Sequence, residues 1–283
     1  GTSASTIPTF VTNFPVDLGF YHSRANVADW FLSSRLQGGG TLNTNTTLAE
    51  AAPDANYAFD SNTGWGKNFN SDKASSNFRR APSFFDEVCY TGTGSATTFA
   101  HNLAAVPELM IVKRRNSTGL WAVYTAATGA ANVLELQSTN ASTSGSAWNS
   151  TSPTASVFTV GNTVATGASG GTYVAYLFAT CAGVSKVGSY TGNGSSQTIN
   201  CGFTGGARFV LVKATSTTGN WIVADSARGI VAGNDPALYL NSTAAEVTGL
   251  DWIDADNSGF VVNETATIAA NTNGVSYIFL AIA

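Results

Sequence analysis

One run of residues occurs twice in this chain, and its spacing limits what the chain can fold into. Leu109-Met110-Ile111-Val112-Lys113 returns as Phe209-Val210-Leu211-Val212-Lys213, a shift of 100 positions. The flanks keep the same register: Tyr90-Thr91-Gly92-Thr93-Gly94 answers Tyr190-Thr191-Gly192-Asn193-Gly194, and Trp121 answers Trp221. Farther on the shift becomes 104, where Leu134-Glu135-Leu136-Gln137-Ser138-Thr139 matches Leu238-Tyr239-Leu240-Asn241-Ser242-Thr243 and Trp148 matches Trp252. Each copy closes on an apolar run, residues 173–179 and 277–283. Solenoid repeats run at about 20 to 50 residues, so a repeat of this length is a whole domain.

Within each copy, short segments rich in Val, Ile, Phe, Tyr and Thr alternate with Gly, Asn, Ser and Thr, and no stretch keeps a helical period. These are strand and turn signals. They predict an all-β chain of tandem β-sandwich or jelly-roll-like repeats of about 100 residues. The segments 91–94, 117–119 and 217–219 read as hairpin-type turns in which Gly supplies positive φ. Residues 1–86 read as a degenerate first unit plus connector, followed by repeats at 87–186 and 187–283. In the first unit, Pro15 to Gly19 stands in for the apolar strand, Asp29 to Leu32 for the Trp strand, and residues 40–46 for the Leu-Asn-Ser-Thr segment; 62–66 supplies the third-strand Trp. The polar stretch 67–86 is expected to be a connector anchored by Phe84 and Phe85.

A strand in an isolated sandwich alternates apolar and polar residues, yet 109–112, 173–178, 209–212 and 277–282 are apolar on both faces. Burying one large apolar side chain is worth roughly 1.5 to 3 kcal/mol, so both faces must be covered. Either the units pack on one another within the chain or identical chains pack together. With only 11% charged residues, against about 25% in a typical soluble domain, the expectation is an obligate homo-oligomer.

The rest of the composition works by exclusion. A net charge of −4 with 13 Lys plus Arg offers no basic stripe for phosphates, which disfavours nucleic acid and anionic membrane surfaces. No apolar run reaches the 18 residues that a membrane-spanning helix needs. The first residues carry neither an initiator Met nor a signal-peptide pattern, so a processed product or fragment is expected. Three cysteines are too few for a disulfide scaffold. Cys89 and Cys181 can bridge if their strands are neighbours, but buried free thiols are the simpler reading.

The pattern Phe84-Phe85-Asp86-Glu87-Val88-Cys89-Tyr90-Thr91-Gly92-Thr93-Gly94, then 106–115 and 170–179, resembles a repeated domain of tailed-phage virion proteins. The pattern of 187–194 and 226–236 resembles it too. These are uncharacterised domains in tail-fibre-like proteins, especially of marine and cyanobacterial phages. The resemblance implies a non-enzymatic structural or adhesion protein of a virion appendage, located in the virion or extracellular. It also implies a homotrimer with other virion proteins as partners; contact with a host surface glycan or receptor is compatible with it but does not follow from it.

Two other readings stand beside it. Asp254-Ala255-Asp256-Asn257-Ser258-Gly259 matches the opening of a calcium loop, with oxygens at positions 1, 3 and 5 (Asp254, Asp256, Ser258) and Gly at 6. Its twelfth position is Thr265, with Glu264 one place early; the alternative is an acidic hairpin turn. Trp30 and Trp65, in the irregular first unit, are the candidates for an exposed glycan-stacking face, whereas the repeated Trp121, Trp221, Trp148 and Trp252 read as core or interface anchors. A glycan-cleaving spike needs two carboxylates roughly 5 to 9.5 Å apart, and Asp225, Asp235, Asp251, Asp254 and Asp256 cluster in the last unit. His22 and His101 fall in different units, and His101 reads as a satisfied turn histidine. No catalytic residue is expected, and no cofactor beyond that calcium.

Overall fold

The computed structural model describes residues 8–70, 72–263, 265 and 269–283. In the middle unit one antiparallel sheet runs, in spatial order, through Thr143–Ser144, Asn132–Glu135, Trp121–Thr125, Leu109–Arg114, Thr172–Phe178 and Phe85–Thr91. The last unit repeats that order with Val247–Leu250, Asp235–Tyr239, Trp221–Asp225, Phe209–Ala214, Ser276–Ile282 and Ser185–Thr191. A smaller sheet lies behind each, formed by Thr97–Ala100 with Val157–Val160, and by Gln197–Asn200, Gly259–Val262 and Ile253–Asp256. The chain is therefore all-β and built of sandwich-like repeats, as its turn and strand signals indicate.

The first unit keeps the middle of this sheet. Leu18–Ser23 pairs antiparallel with Phe31–Ser34 on one side and Lys73–Phe78 on the other. Leu18 faces Ser34, four residues after Trp30, just as Leu109 faces Thr125, four residues after Trp121. Two expectations are thereby corrected. The apolar strand of this unit is not Pro15 to Gly19 but lies three residues later, and the stretch 67–86 is not all connector, because it contains the unit's closing strand. That strand hides in the sequence because Lys73-Ala74-Ser75-Ser76-Asn77-Phe78 is largely polar. Phe85, by contrast, is buried as anticipated, and Phe84 packs against the same cluster.

Side-chain alternation explains the doubly apolar strands. Met110, Val112, Tyr124 and Leu177 point into the middle unit's own sandwich, and Val210, Val212, Ile222 and Phe279 into that of the last unit. The intervening residues point the other way, into one cluster shared by all three units: Leu18 and Phe20 from the first, Leu109 and Ile111 from the middle, Phe209 and Leu211 from the last. A void of only 30 Å³ remains among them. The second faces are thus covered within one chain, and the surface that argued for an oligomer is not free.

The contacts that join the units run head to tail and close after three. Trp121 Nε1 of the middle unit donates to Asn43 O and Thr46 O of the first (3.0 and 3.1 Å). Trp221 Nε1 of the last donates to Glu135 O of the middle unit (2.9 Å). Trp30 Nε1 of the first donates to Tyr239 O of the last (2.7 Å). A backbone bond accompanies each: Gly119 N to Thr47 O, Gly219 N to Thr139 O and Ala28 N to Thr243 O, at 2.8 to 2.9 Å. Repeated heterologous contacts form a ring when the rotation between units closes, and here it closes inside a single polypeptide. Gly119 and Gly219 do not have positive φ, contrary to the turn reading, whereas Gly94 and Gly194 do (φ 78° and 70°).

Beside each of these tryptophans sits one buried basic group. Lys113 Nζ donates to Thr47 O and Gly119 O (3.0 and 2.7 Å), Lys213 Nζ to Thr139 O and Gly219 O (3.1 and 2.9 Å), and burial pulls both ammonium groups down to about 8. In the first unit the position is taken by His22, whose Nε2 lies 2.8 Å from Ala28 O and whose ring lies 4.8 Å from that of Trp30.

The first unit's own small core contains Val16, Tyr21, Phe59 and Trp65. Gly19 lies beneath Trp65 so closely that a Cβ there would sit 2.2 Å from Cε2. Overpacking of this kind costs typically 1–3 kcal/mol. Gly19→Ala is therefore expected to lower the unfolding free energy read from urea denaturation by that amount, whereas Gly205→Ala, with nothing within 4 Å of the added carbon, leaves it unchanged.

Candidate functional site

All six tryptophans are buried. Trp30 is 2% and Trp65 0% exposed, so neither presents an indole face to a sugar, and the glycan-stacking reading loses both of its residues. The reason is packing: Trp30 closes the ring of units, and Trp65 stacks on Phe59 (centroids 5.0 Å apart) in the first unit's core.

The Asp254 to Gly259 segment is a β-hairpin, with Ile253–Asp256 paired to Gly259–Val262. Asp256 Oδ1 accepts from Ser258 N and Oγ (2.8 and 2.6 Å), which holds its carboxyl below the usual range. Asp254 and Asp256, two apart on one strand, face the same way, but their carboxylates are engaged separately, Asp256 by Ser258 and Asp254 by Asn263; Glu264 lies outside the described residues. Asp254 instead meets Asp235 and Asp251, with a carboxylate oxygen of each within 4.8 Å of the others. Three hard oxygens would suit calcium, but these are already engaged. Asn263 Nδ2 donates to both Asp251 Oδ1 and Asp254 Oδ2 (2.8 and 2.7 Å). Asp235, fully buried, accepts from Val231 N and Ile253 N (2.9 and 3.3 Å). Burial raises its carboxyl to about 6. Wholly enclosed, it has no path to a glycosidic oxygen.

The cysteines are free. The strands of Cys89 and Cys181 are neighbours, but register sets Cys89 opposite Val174, seven residues short of Cys181. At about 3.4 Å per residue that gap is far beyond disulfide reach. Only Cys201 is a buried thiol; Cys89 is exposed. His101 accepts from Leu103 N at Nδ1 (3.3 Å) and approaches Thr154 O at Nε2 (3.1 Å), the satisfied turn histidine expected.

Sequence reasoning missed a polar cluster between the first and middle units. Glu87, 3% exposed, accepts from Ser34 Oγ, and Tyr176 Oη donates to Gln37 Oε1 (2.8 Å). Arg115 Nη2 reaches across to Glu50 Oε1 (2.9 Å). Burial pushes the Glu87 carboxyl up to about 8, so it is mostly protonated at neutral pH. The only sequence signal is an acidic residue midway along an apolar-flanked strand.

Three grooves mark the joints of the ring at corresponding positions. Between the first and middle units lies one of 530 Å³ with Asp17 and Arg35 facing Phe85 and Asp86. Between the middle and last units lies one of 290 Å³ with Glu108 and residues 125–127 facing Val187, Gly188 and Ser189. Between the last and first units lies one of 540 Å³ with Arg208 and residues 225–227 facing Ser75 to Phe78. The first two joints are polar on at least one side. The third has an aromatic floor, Phe14, Phe78, Phe84 and Phe209, and two arginines, Arg79 and Arg208, that have no ion pair among the described residues.

The fold and its joints define a β-repeat protein with three sandwich units fused around one centre. The chain belongs to the family described as a domain of unknown function, DUF7483, which matches residues 73–283, from the closing strand of the first unit to the end of the last. No curated protein and no solved structure matches the chain.

Proposed function

We propose that this protein is a non-enzymatic structural or adhesion component of a phage virion, a rigid block within a tail-fibre-like appendage. The observation that supports this most is the ring of three sheets around a shared apolar centre. Rigidity comes from burying both faces of every central strand, and the exterior is left to hydroxyl and amide side chains that other virion proteins or a host surface can contact. The resemblance to tail-fibre-like repeats points the same way. The apolar faces call for an obligate homo-oligomer only if another chain must cover them, and the trimer is what the resemblance implies; since those faces meet inside one chain, the physical argument favours a block whose threefold arrangement is internal. Light scattering on the purified protein is expected to report a 29.2 kDa monomer, and a stable trimer would overturn the internal version. Labelled antibody against the chain is expected to decorate appendages of purified particles in electron micrographs. Bare particles, or shortening of host polysaccharide by the protein, would refute the structural reading.

A further inference from the structure

The three joints of the ring differ in one respect. In the middle unit, Thr172–Phe178 is flanked on its outer side by Phe85–Thr91, and in the last unit Ser276–Ile282 is flanked by Ser185–Thr191. The corresponding strand of the first unit, Lys73–Phe78, has Leu18–Ser23 on one side and no strand on the other among the described residues. Its residues are all half-buried until Phe78, whereas Thr172–Phe178 is buried after its first residue.

Register identifies the outward groups. Arg24 N bonds Asp72 O, as Arg115 N bonds Thr172 O, so the main-chain groups of Ala74, Ser76 and Phe78 turn toward Leu18–Ser23. Those of Lys73, Ser75 and Asn77 turn outward; Ser75 O accepts from Asn77 Nδ2 (3.4 Å), and the three N–H groups face no strand among the described residues. These residues occupy the places of Tyr173, Ala175 and Leu177, whose partners are Tyr90, Val88 and Asp86. The largest of the three grooves lies along this edge.

We infer that the outer edge of Lys73–Phe78 accepts an extended segment of a partner polypeptide, about seven residues long, acidic at the end near Arg79 and Arg208, as an added antiparallel strand. The two sister joints give the length and direction, since each holds a seven-residue antiparallel strand in this position. The two arginines without ion pairs give the charge. Carboxylates stand at the sister positions of Arg208: Asp17 Oδ2 accepts from Arg80 N (2.8 Å) and Glu108 Oε2 from Thr180 N (2.6 Å), each tethering the run into its edge strand. At the third joint the side chain is cationic, so the incoming segment supplies the carboxylate. Strand addition takes its affinity from main-chain hydrogen bonds and its selectivity from side-chain pockets. The inference holds whether or not the protein is a virion component.

The test uses the intact protein and a fluorescent peptide copying Phe85 to Thr91, with serine for the cysteine; it carries Asp86 and Glu87. Saturable one-to-one binding by anisotropy is expected, with at least tenfold slower hydrogen exchange at Ser75 and Asn77 in the complex. Ser75→Pro removes an outward N–H without touching the inner pairing and is expected to weaken binding at least tenfold with an unchanged Tm. Arg79→Glu with Arg208→Glu is expected to do the same, and serves if the proline variant fails to fold. Any of four results would overturn the proposal: no anisotropy change at millimolar peptide, equal binding of a scrambled peptide, protection away from this edge, or a dimer of the protein alone that Ser75→Pro dissociates.

Discussion

Trp221→Ala is expected to destabilise the protein by at least about 3–5 kcal/mol, the usual cost of emptying a buried tryptophan site. Trp221 is 0% exposed, lies in the cluster that all three units share, and gives its Nε1 hydrogen to Glu135 O in the neighbouring unit. Truncation therefore opens a cavity at a joint and leaves a carbonyl without its donor, which adds about 1–3 kcal/mol where that carbonyl stays dry. Trp221→Phe separates the two terms, because it keeps most of the packing and loses the hydrogen bond. Trp252→Phe is the control: its Nε1 is buried with no partner among the described residues, so the ring nitrogen is a smaller loss there. Urea midpoints of the three variants check the order. Trp30, Trp121 and Trp221 close one ring, so Trp121→Ala added to Trp221→Ala is expected to cost less than the sum of the two. Neighbours that share a structure are non-additive, and a ring opened at one joint has less to lose at the next.

How much of this could be read in the sequence depends on which physical signal each element carries. The strands 109–112 and 209–212 announce themselves because both faces are apolar, and the need to cover both follows at once. What covers them is a question of topology, and periodicity does not contain it; the cover comes from the other units of the same chain, so these faces by themselves do not call for a second copy. The shift of 104 was informative beyond its use as a repeat, since Glu135 and Tyr239, separated by it, are the carbonyl positions that Trp221 and Trp30 bond in the next unit. The first unit was hard to align because its chemistry is substituted while its geometry is kept. His22 stands where lysine stands in the other two, and Lys73–Phe78 is polar because its outer edge is not packed under a flanking strand. The candidate sites fared worse. Irregular surroundings made Trp30 and Trp65 look exposed, yet the ring joint and the first unit's core claim them. The calcium pattern placed oxygens at alternate residues, which do share one side of the strand, but Asp256 is tied to Ser258 while Asp254 stands with Asp235 and Asp251.

Replacing Glu87 by glutamine is expected to raise stability at pH 8 while leaving it almost unchanged near pH 4.5. Buried between the first and middle units, the carboxyl keeps its proton up to about pH 8, whereas an unfolded glutamate loses it near 4.5. Between those values the folded state binds the extra proton, so stability falls as pH rises, by about 1.4 kcal/mol for each pH unit. Other groups tilt the acid side. Burial lowers the His22 pKa below its ordinary 6.5, so that group loses stability as pH falls from 6.5 through its folded value, and Asp235 titrates up to about 6. The window from pH 6.5 to 8 therefore isolates Glu87, and the buried lysines act in the opposite sense only above about 8. Urea unfolding across this window is expected to show a falling wild-type stability and a flat Glu87→Gln profile, since the amide keeps the acceptor that Ser34 uses and cannot ionise. Glu50→Gln, which breaks the pair with Arg115, is expected to shift the curve downward without changing its slope. A flat wild-type profile would mean that the positive charges of Arg80 and Arg115 outweigh desolvation at Glu87 and hold it ionised. The joint between the first two units would then be an ordinary ion-paired interface with no proton stored in it.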